Sequence, residues 1–483
     1  MMPGSLASGR RPVFAAAPDR AGDEPVGTVT TRTHTGYERA KDTLRAEFAA
    51  APAAAPIRLG KRTSNLFRTR ERARARLDVG GFDGVLEVDP ESRTADVLGM
   101  TTYEHLVDAT LPHGLVPLVV PQLKTITLGG AVAGLGIEST SFRNGMPHES
   151  VLEMEILTGD GRIVLARPDG EHADLFRGFP NSFGTLGYAL RLRIELEPVS
   201  PYVALEHRRY GPAAECFTAL EEISAERALG GRPVDFVDGT VFGLDELYLT
   251  LGRYQESAPS ISDYTGMDIY YQSIRRRAED HLTVRDYLWR WDTDWFWCSS
   301  AFGVQRPSIR RWWPKQWLRS DVYWRIVAAE RRLGLRRRMD RLRGRPLREE
   351  VIQDVEVPID RAAEFLDFFH REVRISPVWL CPLRVRDARH WPLYALQPGV
   401  RYVNFGFWST VPLRPGETDG TMNRRIERVV TELGGRKSLY STAFYEADEF
   451  WALYGAEEYD RLKKRYDGEG RLLGLYDKCV GRR

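Results

Sequence analysis

At 483 residues the chain is too long for one ordinary hydrophobic core, so two domains are expected. A hydrophobic content of 42% and a charged content of 28% are those of a soluble globular protein, and a net charge of +2 excludes bulk, charge-driven binding of nucleic acid. The four cysteines stand far apart with no C-x-x-C pair, which excludes a zinc knuckle or disulfide framework and suits a reducing cytoplasm, and no run of 18 apolar residues exists to span a membrane.

In chain order, residues 1–30 are rich in Ala, Pro, Gly and Arg and read as a disordered extension; Arg10 and Arg11 are followed by too short an apolar stretch for a secretory signal. Residues 37–50 read as a helix with Leu44 and Phe48 on one face. Ile57-Arg58-Leu59-Gly60 reads as a short strand entering the polar loop 61–65. Residues 84–90 and 94–99 form two strands around a turn, and a helix over 102–113 is capped by Thr101 or Thr102 and ended by Gly114. Gly159-Asp160-Gly161 between 151–158 and 162–166 predicts a hairpin, and 190–196 alternates strictly, as a strand with one wet face does. Helices interleave with strands joined by tight turns, which predicts an α+β fold.

The segment 119–139 holds the densest information. Thr125 and Thr127 lead into Gly129-Gly130, a run of small residues, then Gly134 and Gly136. Such a backbone can approach a large charged ligand and turn its amides toward phosphate oxygens. It is not a Rossmann loop, because Ser139 stands where the third glycine belongs, and Gly60-Lys61-Arg62 with Ala55 is not a P-loop. No metal-ligand spacing, G-x-S-x-G elbow or internal repeat accompanies it.

Past Pro198 the composition changes. Eight of the twelve tryptophans lie between Trp289 and Trp324, and from Arg306 to Arg348 fifteen Lys or Arg face three acids. Interleaved Phe296, Trp297, Trp312, Trp313, Trp317 and Trp324 with Arg310, Arg311, Lys315, Arg319 and Arg325 suit a membrane interface, giving peripheral contact with the inner membrane surface; a Trp-rich core patch behind a solvated basic helix is the alternative.

Four pieces in order resemble the FAD-binding domain of the PCMH (vanillyl-alcohol oxidase) type. They are residues 58–65; Thr127-Leu128-Gly129-Gly130 through Gly136-Ile137-Glu138-Ser139; Asn144-Gly145 with the hairpin 151–161; and Asp174-Leu175-Phe176-Arg177 with Phe183-Gly184-Thr185-Leu186-Gly187-Tyr188. Gly136-Ile137-Glu138-Ser139, residues 352–358, Pro377-Val378-Trp379-Leu380-Cys381-Pro382, Glu449-Phe450-Trp451 and Leu475-Tyr476-Asp477-Lys478 further resemble the Δ24-sterol reductase branch. An even nearer likeness is to actinobacterial flavin reductases that convert a methylene branch on a fatty acyl chain to a methyl, as in tuberculostearic acid-type synthesis.

The resemblance implies a PCMH-type FAD domain over 31–200, a second α+β cap or substrate domain over 201–430 carrying the Trp/Arg segment 289–348, and a segment 431–483 returning to the FAD domain. It implies FAD contacts from Arg58, Gly60, Lys61, Ser64, Asn65, Pro121, Thr127, Gly129, Gly130, Gly134, Gly136, Ile137, Glu138, Ser139, Gly145, Gly184, Thr185, Gly187 and Tyr188. The first loop has no His, so the FAD is expected to be non-covalent; His105, His113 and His148 read as surface or capping residues. Reducing a C=C bond takes a hydride from a redox cofactor, recharged by NADPH, and a proton from a positioned acid. By resemblance that acid is Tyr440, with Tyr402 in reserve. The implied substrate is a methylene-branched acyl group on a phospholipid. A sterol double bond, an alcohol oxidase or dehydrogenase reaction, and a non-enzymatic flavin scaffold stand as alternatives.

Overall fold

The computed structural model describes residues 33–53, 55–61, 67–68, 75–333 and 346–480; the expected disordered extension over 1–30 lies outside them. The Thr33 hydroxyl accepts the Gly36 amide at 3.1 Å and starts α1 (His34–Ala50), which buries Tyr37, Lys41, Leu44 and Phe48 along one stripe. Next come the parallel pair β1 (Ile57–Leu59) and β2 (Ala75–Leu77), then β3 (Val85–Asp89) and β4 (Thr94–Leu98). Thr102 caps α2 (Tyr103–Thr110), and a following turn closes at Gly114 with φ +69°. β5 (Leu115–Pro117), α3 (Leu128–Gly134), the hairpin β6 (Val151–Leu157) and β7 (Ile163–Ala166), and the long β8 (Tyr188–Pro198) complete this half. The strands form an antiparallel sheet, β3-β4-β8-β6-β7, with β5 on the far end of β8. In β8, Leu190, Leu192, Ile194 and Leu196 are buried, while Arg191 on the opposite face binds Asp96, Glu153 and Glu155.

The glycine run differs from expectation. It is not an open loop but the short helix α3, whose N-cap Thr127 accepts the Gly130 amide at 3.2 Å. Gly129 is needed for the approach of α3 to the end of β4: its amide donates to Gly99 O at 2.9 Å, and a Cβ there would meet that oxygen at 2.7 Å.

The second sheet is built from β9 (Tyr202–Tyr210), β12 (Phe236–Gly243), β13 (Glu246–Gln255), β14 (Glu279–Thr283), β15 (Arg348–Pro358), β16 (Val378–Arg384), β17 (Arg401–Pro412) and β18 (Arg436–Lys437); β10 (Ala228–Leu229) and β11 (Arg232–Pro233) make a separate small pair. Its order is β14-β9-β13-β12-β16-β17-β15-β18, antiparallel throughout. The strand period of two divides each strand between two environments. Val351, Val355, Val378, Leu380, Val403, Phe405 and Phe407 pack in a core with the helices Ala213–Glu226, Ala362–Phe368 and Thr421–Glu432. Trp379, Cys381, Leu383 and Tyr402 instead join the core shared with the first sheet. That alternation places Asp354 of β15 and Asn404 and Trp408 of β17 on the side that meets the first sheet.

The Trp/Arg stretch divides in two. Trp289, Trp291, Trp295 and Trp297 are buried, and Arg310 is buried with them, bonded to Asp294 at 2.8 Å. Trp312 is 81% exposed and Trp317 51% exposed. Residues 334–345 of that stretch lie outside the described residues.

Candidate functional site

A cavity of about 480 Å³ opens where the first sheet, α3, the second sheet and the C-terminal segment converge. The chain ends are tied together there: the Phe67 amide donates to Tyr440 O at 3.1 Å, the Ile57 amide to Arg471 O at 2.8 Å, and Lys478 Nζ to Phe183 O at 2.6 Å.

One part of the wall is glycine and cation. Gly129, Gly130, Gly134 and Gly136 line it with Arg58, Lys61, Arg68, Arg76 and Lys478. Lys61 Nζ donates to Thr127 Oγ1 at 2.8 Å, which fixes an ammonium beside the start of α3. A Cβ on Gly134 would strike the Phe183 ring at 2.8 Å, and Phe183 in turn carries the Arg68 guanidinium 4.6 Å above its ring. Another part of the wall is aromatic. Phe67 stacks on Trp295 with ring centroids 5.7 Å apart and meets Tyr440 edge-on at 5.8 Å. Phe296 lies 4.3 Å from Trp408 and 5.6 Å from Trp379. Trp295 and Phe296 hold positive φ values of 45° and 60°, a strained pair for bulky residues and one that aims both rings at this wall.

A small polar cluster interrupts the aromatic wall. Trp408 Nε1 donates to Tyr440 Oη at 2.9 Å, Asn404 Nδ2 donates to Asp354 Oδ1 at 3.0 Å, and Tyr440 hydrogen-bonds Asp354. Burial pushes the Asp354 carboxyl up to about 6 against the pull of those hydrogen bonds. Burial, and then the Asp354 charge, hold the Tyr440 hydroxyl well above the usual phenol range, so it is protonated at neutral pH. Gly406 makes the room: a Cβ there would lie 2.5 Å from Asp354 Oδ1 and 2.8 Å from the Trp408 ring.

Of the residues implied by the sequence, Arg58, Lys61, Pro121, Thr127, Gly129, Gly130, Gly134, Gly136, Ile137, Gly184, Gly187 and Tyr188 come together on this cavity, and so does Tyr440. Ser64 and Asn65 lie outside the described residues. Others are not among its lining residues. Gly60 donates its amide to Leu77 O at 2.7 Å, behind the strand pair. Glu138 and Ser139 are buried in a separate network with Arg290 and Tyr287. Gly145, at φ +72°, shapes the turn that Glu149 closes, and the Thr185 hydroxyl bonds Ser182 O. Tyr402 is buried with its hydroxyl accepting the Gln397 amide at 3.2 Å. His148 is not a surface residue. It is fully buried, edge-on to Trp391 at 4.5 Å, and burial holds its imidazole down at about 3. Phe67, Arg68, Trp295, Phe296, Asn404 and Trp408 had no local signal beyond the aromatic density around 295, and Asp354 was marked only by its place in 352–358, one of the segments that carry the resemblance.

The walls fit FAD. Five cations against one carboxylate suit a pyrophosphate, the glycine faces leave space that any Cβ would fill, and flat aromatic surfaces flank a ring system. Among the described residues no His or Cys lines the cavity to tether it.

Comparison with known proteins agrees. Residues 42–167 match the FAD binding domain family. The Delta(24)-sterol reductase of Arabidopsis thaliana is 26% identical over 457 residues, covering 87% of this chain and 79% of the relative. That of Homo sapiens is 25% identical over 415 residues, 82% and 75% of the two chains. Cytokinin dehydrogenase 6 of Oryza sativa subsp. japonica is 32% identical over 195 residues, 40% of this chain and 34% of the relative. The chain carries an FAD-binding domain and is a flavin-dependent oxidoreductase, similar over most of its length to the Delta(24)-sterol reductases.

Proposed function

We propose that this flavoenzyme reduces an isolated carbon–carbon double bond in a lipid: a methylene-branched acyl group on a phospholipid becomes methyl-branched, with NADPH as electron source and FAD held without a covalent tether. The observation that carries the reading is the aromatic-walled cavity with the protonated hydroxyl of Tyr440 set into its aromatic wall beside Asp354. Bound reduced FAD supplies the hydride. The residues do the rest. Phe67, Trp295, Phe296, Trp379 and Trp408 exclude water and grip an apolar chain, and their π faces stabilise positive charge developing at the more substituted carbon. Tyr440 hands its proton to the carbon that does not receive hydride. Residues 201–430 act as the cap that covers the substrate over the FAD-binding part. A sterol double bond is the second reading, favoured by the names of the relatives above.

The test is anaerobic. NADPH is expected to bleach the visible spectrum of the purified yellow protein, and phospholipid with methylene-branched acyl chains to restore it. Recovery with a Δ24 sterol alone would transfer the substrate to the second reading, and no bleaching at all would discard the reductase. Acid precipitation of the same sample should leave all of the flavin in the supernatant.

A phospholipid-borne substrate calls for contact with a bilayer. Exposed Trp312 and Trp317, with exposed Arg306, Arg311 and Lys315 around them, are the surface proposed for it. Fully burying a large apolar side chain is worth about 1.5–3 kcal/mol. Replacing both tryptophans by Ala should therefore weaken co-sedimentation with phosphatidylglycerol vesicles roughly tenfold or more. Equal binding by the double variant would remove this surface from the proposal.

A further inference from the structure

The cations that line the cavity do not stand together. Arg58 and Arg76 are register partners in the β1–β2 pair, and Lys61 follows that pair to reach Thr127 at the start of α3. Arg68 belongs to the other end. Gly134 closes α3 against the Phe183 ring, and that ring carries the Arg68 guanidinium at 4.6 Å. The seven residues of α3 set these two ends about 10 Å apart. Arg68 also follows Phe67 in the chain, whose ring stacks on Trp295 and meets Tyr440, so it borders the aromatic wall.

Its partners set Arg68 apart as well. It is 8% exposed, whereas Arg76 stands in solvent. Its Nη1 donates to Lys478 O at 3.3 Å and to Cys479 Sγ at 2.7 Å, a thiol that burial keeps protonated. Its Nη2 is buried without a hydrogen-bond partner, and among the described residues no carboxylate forms an ion pair with the guanidinium. A buried cation in that state is stranded until a ligand brings negative charge to it.

We propose that Arg68 is the countercharge of the reduced flavin, with Nη2 donating to the ring once the ring becomes an anion. The inference rests on FAD filling this cavity with its ring system against the aromatic wall, and on no choice of substrate. FAD has two sources of negative charge. The pyrophosphate is always charged, and Arg58, Lys61 and Arg76 suit it. The ring system is neutral when oxidised. An arriving hydride brings it two electrons and one proton, so it leaves that step as a monoanion with the charge on its pyrimidine part. No bond to Arg68 forms or breaks. A cation already fixed beside the ring, in a site with little water, stabilises that charge as it develops. The reduced flavin is then bound more tightly than the oxidised one, which raises its reduction potential and favours hydride uptake from a nicotinamide.

The measurement is the midpoint potential of bound FAD, equilibrated with a reference dye and without lipid, beside the affinity of the apoprotein for oxidised FAD. Arg68→Met should bind oxidised FAD about as tightly as wild type. Its affinity for the reduced form should fall about 10–100-fold, the worth of a charged hydrogen bond. For a two-electron couple that lowers the potential by about 30–60 mV. Arg76→Met, at the pyrophosphate end, should weaken both redox states alike and leave the potential in place. Wild type supplies a check that no misfolded variant can spoil: at neutral pH its potential should follow pH as one proton per two electrons, because the ring stays anionic. In Arg68→Met the passage to two protons should move to higher pH. Equal weakening of both redox states in Arg68→Met would make the residue a pyrophosphate ligand. Unchanged affinity and potential would place it away from the ring, and uptake of two protons by wild type at neutral pH would mean that no anion forms. Each of these three results overturns the proposal. No olefin enters the measurement, so an error in the lipid substrate would leave its outcome untouched, and a failure here would leave the lipid reading standing.

Discussion

Tyr440→Phe is expected to bind FAD normally, to be bleached by NADPH at the wild-type rate, and to lose about 10²–10⁴-fold in olefin-driven reoxidation, the span typical of a positioned general acid. The ring stays in its contact with Phe67, and only the hydroxyl between Trp408 Nε1 and Asp354 is removed. Loss of that bond should cost on the order of 1 kcal/mol in stability, far too little to explain a catalytic loss of that size. Tyr402→Phe is the control. Its hydroxyl serves the Gln397 amide away from the cavity, so its reoxidation rate should stay within about twofold of wild type. Stopped-flow spectra of both half-reactions separate the outcomes. An unaffected Tyr440→Phe would mean that the proton reaches the substrate from another donor, and a slowed NADPH step would mean that the hydroxyl serves FAD placement instead.

The parts of this site that were legible in the sequence are those whose chemistry is local. Gly159-Asp160-Gly161 demands a hairpin because Gly161 must adopt φ +83°, and the alternation of β8 survives because one face is core and the other carries Arg191 with its acids. The glycine run was legible as a place of close approach, but not as a helix. Its need for glycine comes from Gly99, thirty residues earlier, which only the tertiary packing brings under Gly129. The aromatic and acidic wall was not legible. Asp354 and Asn404 face the cavity because β15 and β17 pair in one register, with Glu356 opposite Asn404 and Asp354 opposite Gly406. A one-residue slip would turn all of them into the helix-covered core. The tryptophan stretch misled in the other direction. Trp289, Trp291, Trp295 and Trp297 are core, since the same amphipathic ring serves a buried wall or a lipid surface, and spacing alone does not separate the two uses. His148, read as a surface or capping residue, lies in the turn Pro147–Ser150, all four residues of which are buried, with Pro147 against Gly136.

The largest stability effect is expected at Arg290, which touches no part of the cavity. Its Nη2 bonds Glu138 Oε1 at 3.0 Å and Asp238 Oδ2 at 2.8 Å, all three side chains are nearly inaccessible, and the guanidinium lies 3.9 Å over the Tyr287 ring. Asp238 in turn accepts from Trp291 Nε1 at 3.0 Å and from the cavity residue Trp379 at 3.2 Å, so one cation anchors both the Gly136–Ser139 segment and an aromatic wall. Arg290→Leu strands two buried carboxylates and should cost about 3–5 kcal/mol, with Trp379 loosened and FAD retained poorly. Arg290→Lys should recover only part of this, because an ammonium lacks the second arm, Nη1, that donates to Tyr287 O at 2.9 Å and the flat face that stacks on the Tyr287 ring. The pH dependence identifies the cause. Burial already raises the Glu138 carboxyl above its ordinary value, and Arg290 is the chief influence lowering it. A carboxyl whose folded-state value is raised penalises the fold in full above that value and less as pH falls through it. Removing Arg290 raises Glu138 further, so the deficit of Arg290→Leu against wild type should be greatest at alkaline pH and shrink as the solution is acidified toward the ordinary carboxylate range. Thermal melts of the two proteins across pH measure this directly. A deficit that does not change with pH would mean that lost packing on Tyr287, and not the stranded charge, sets the cost.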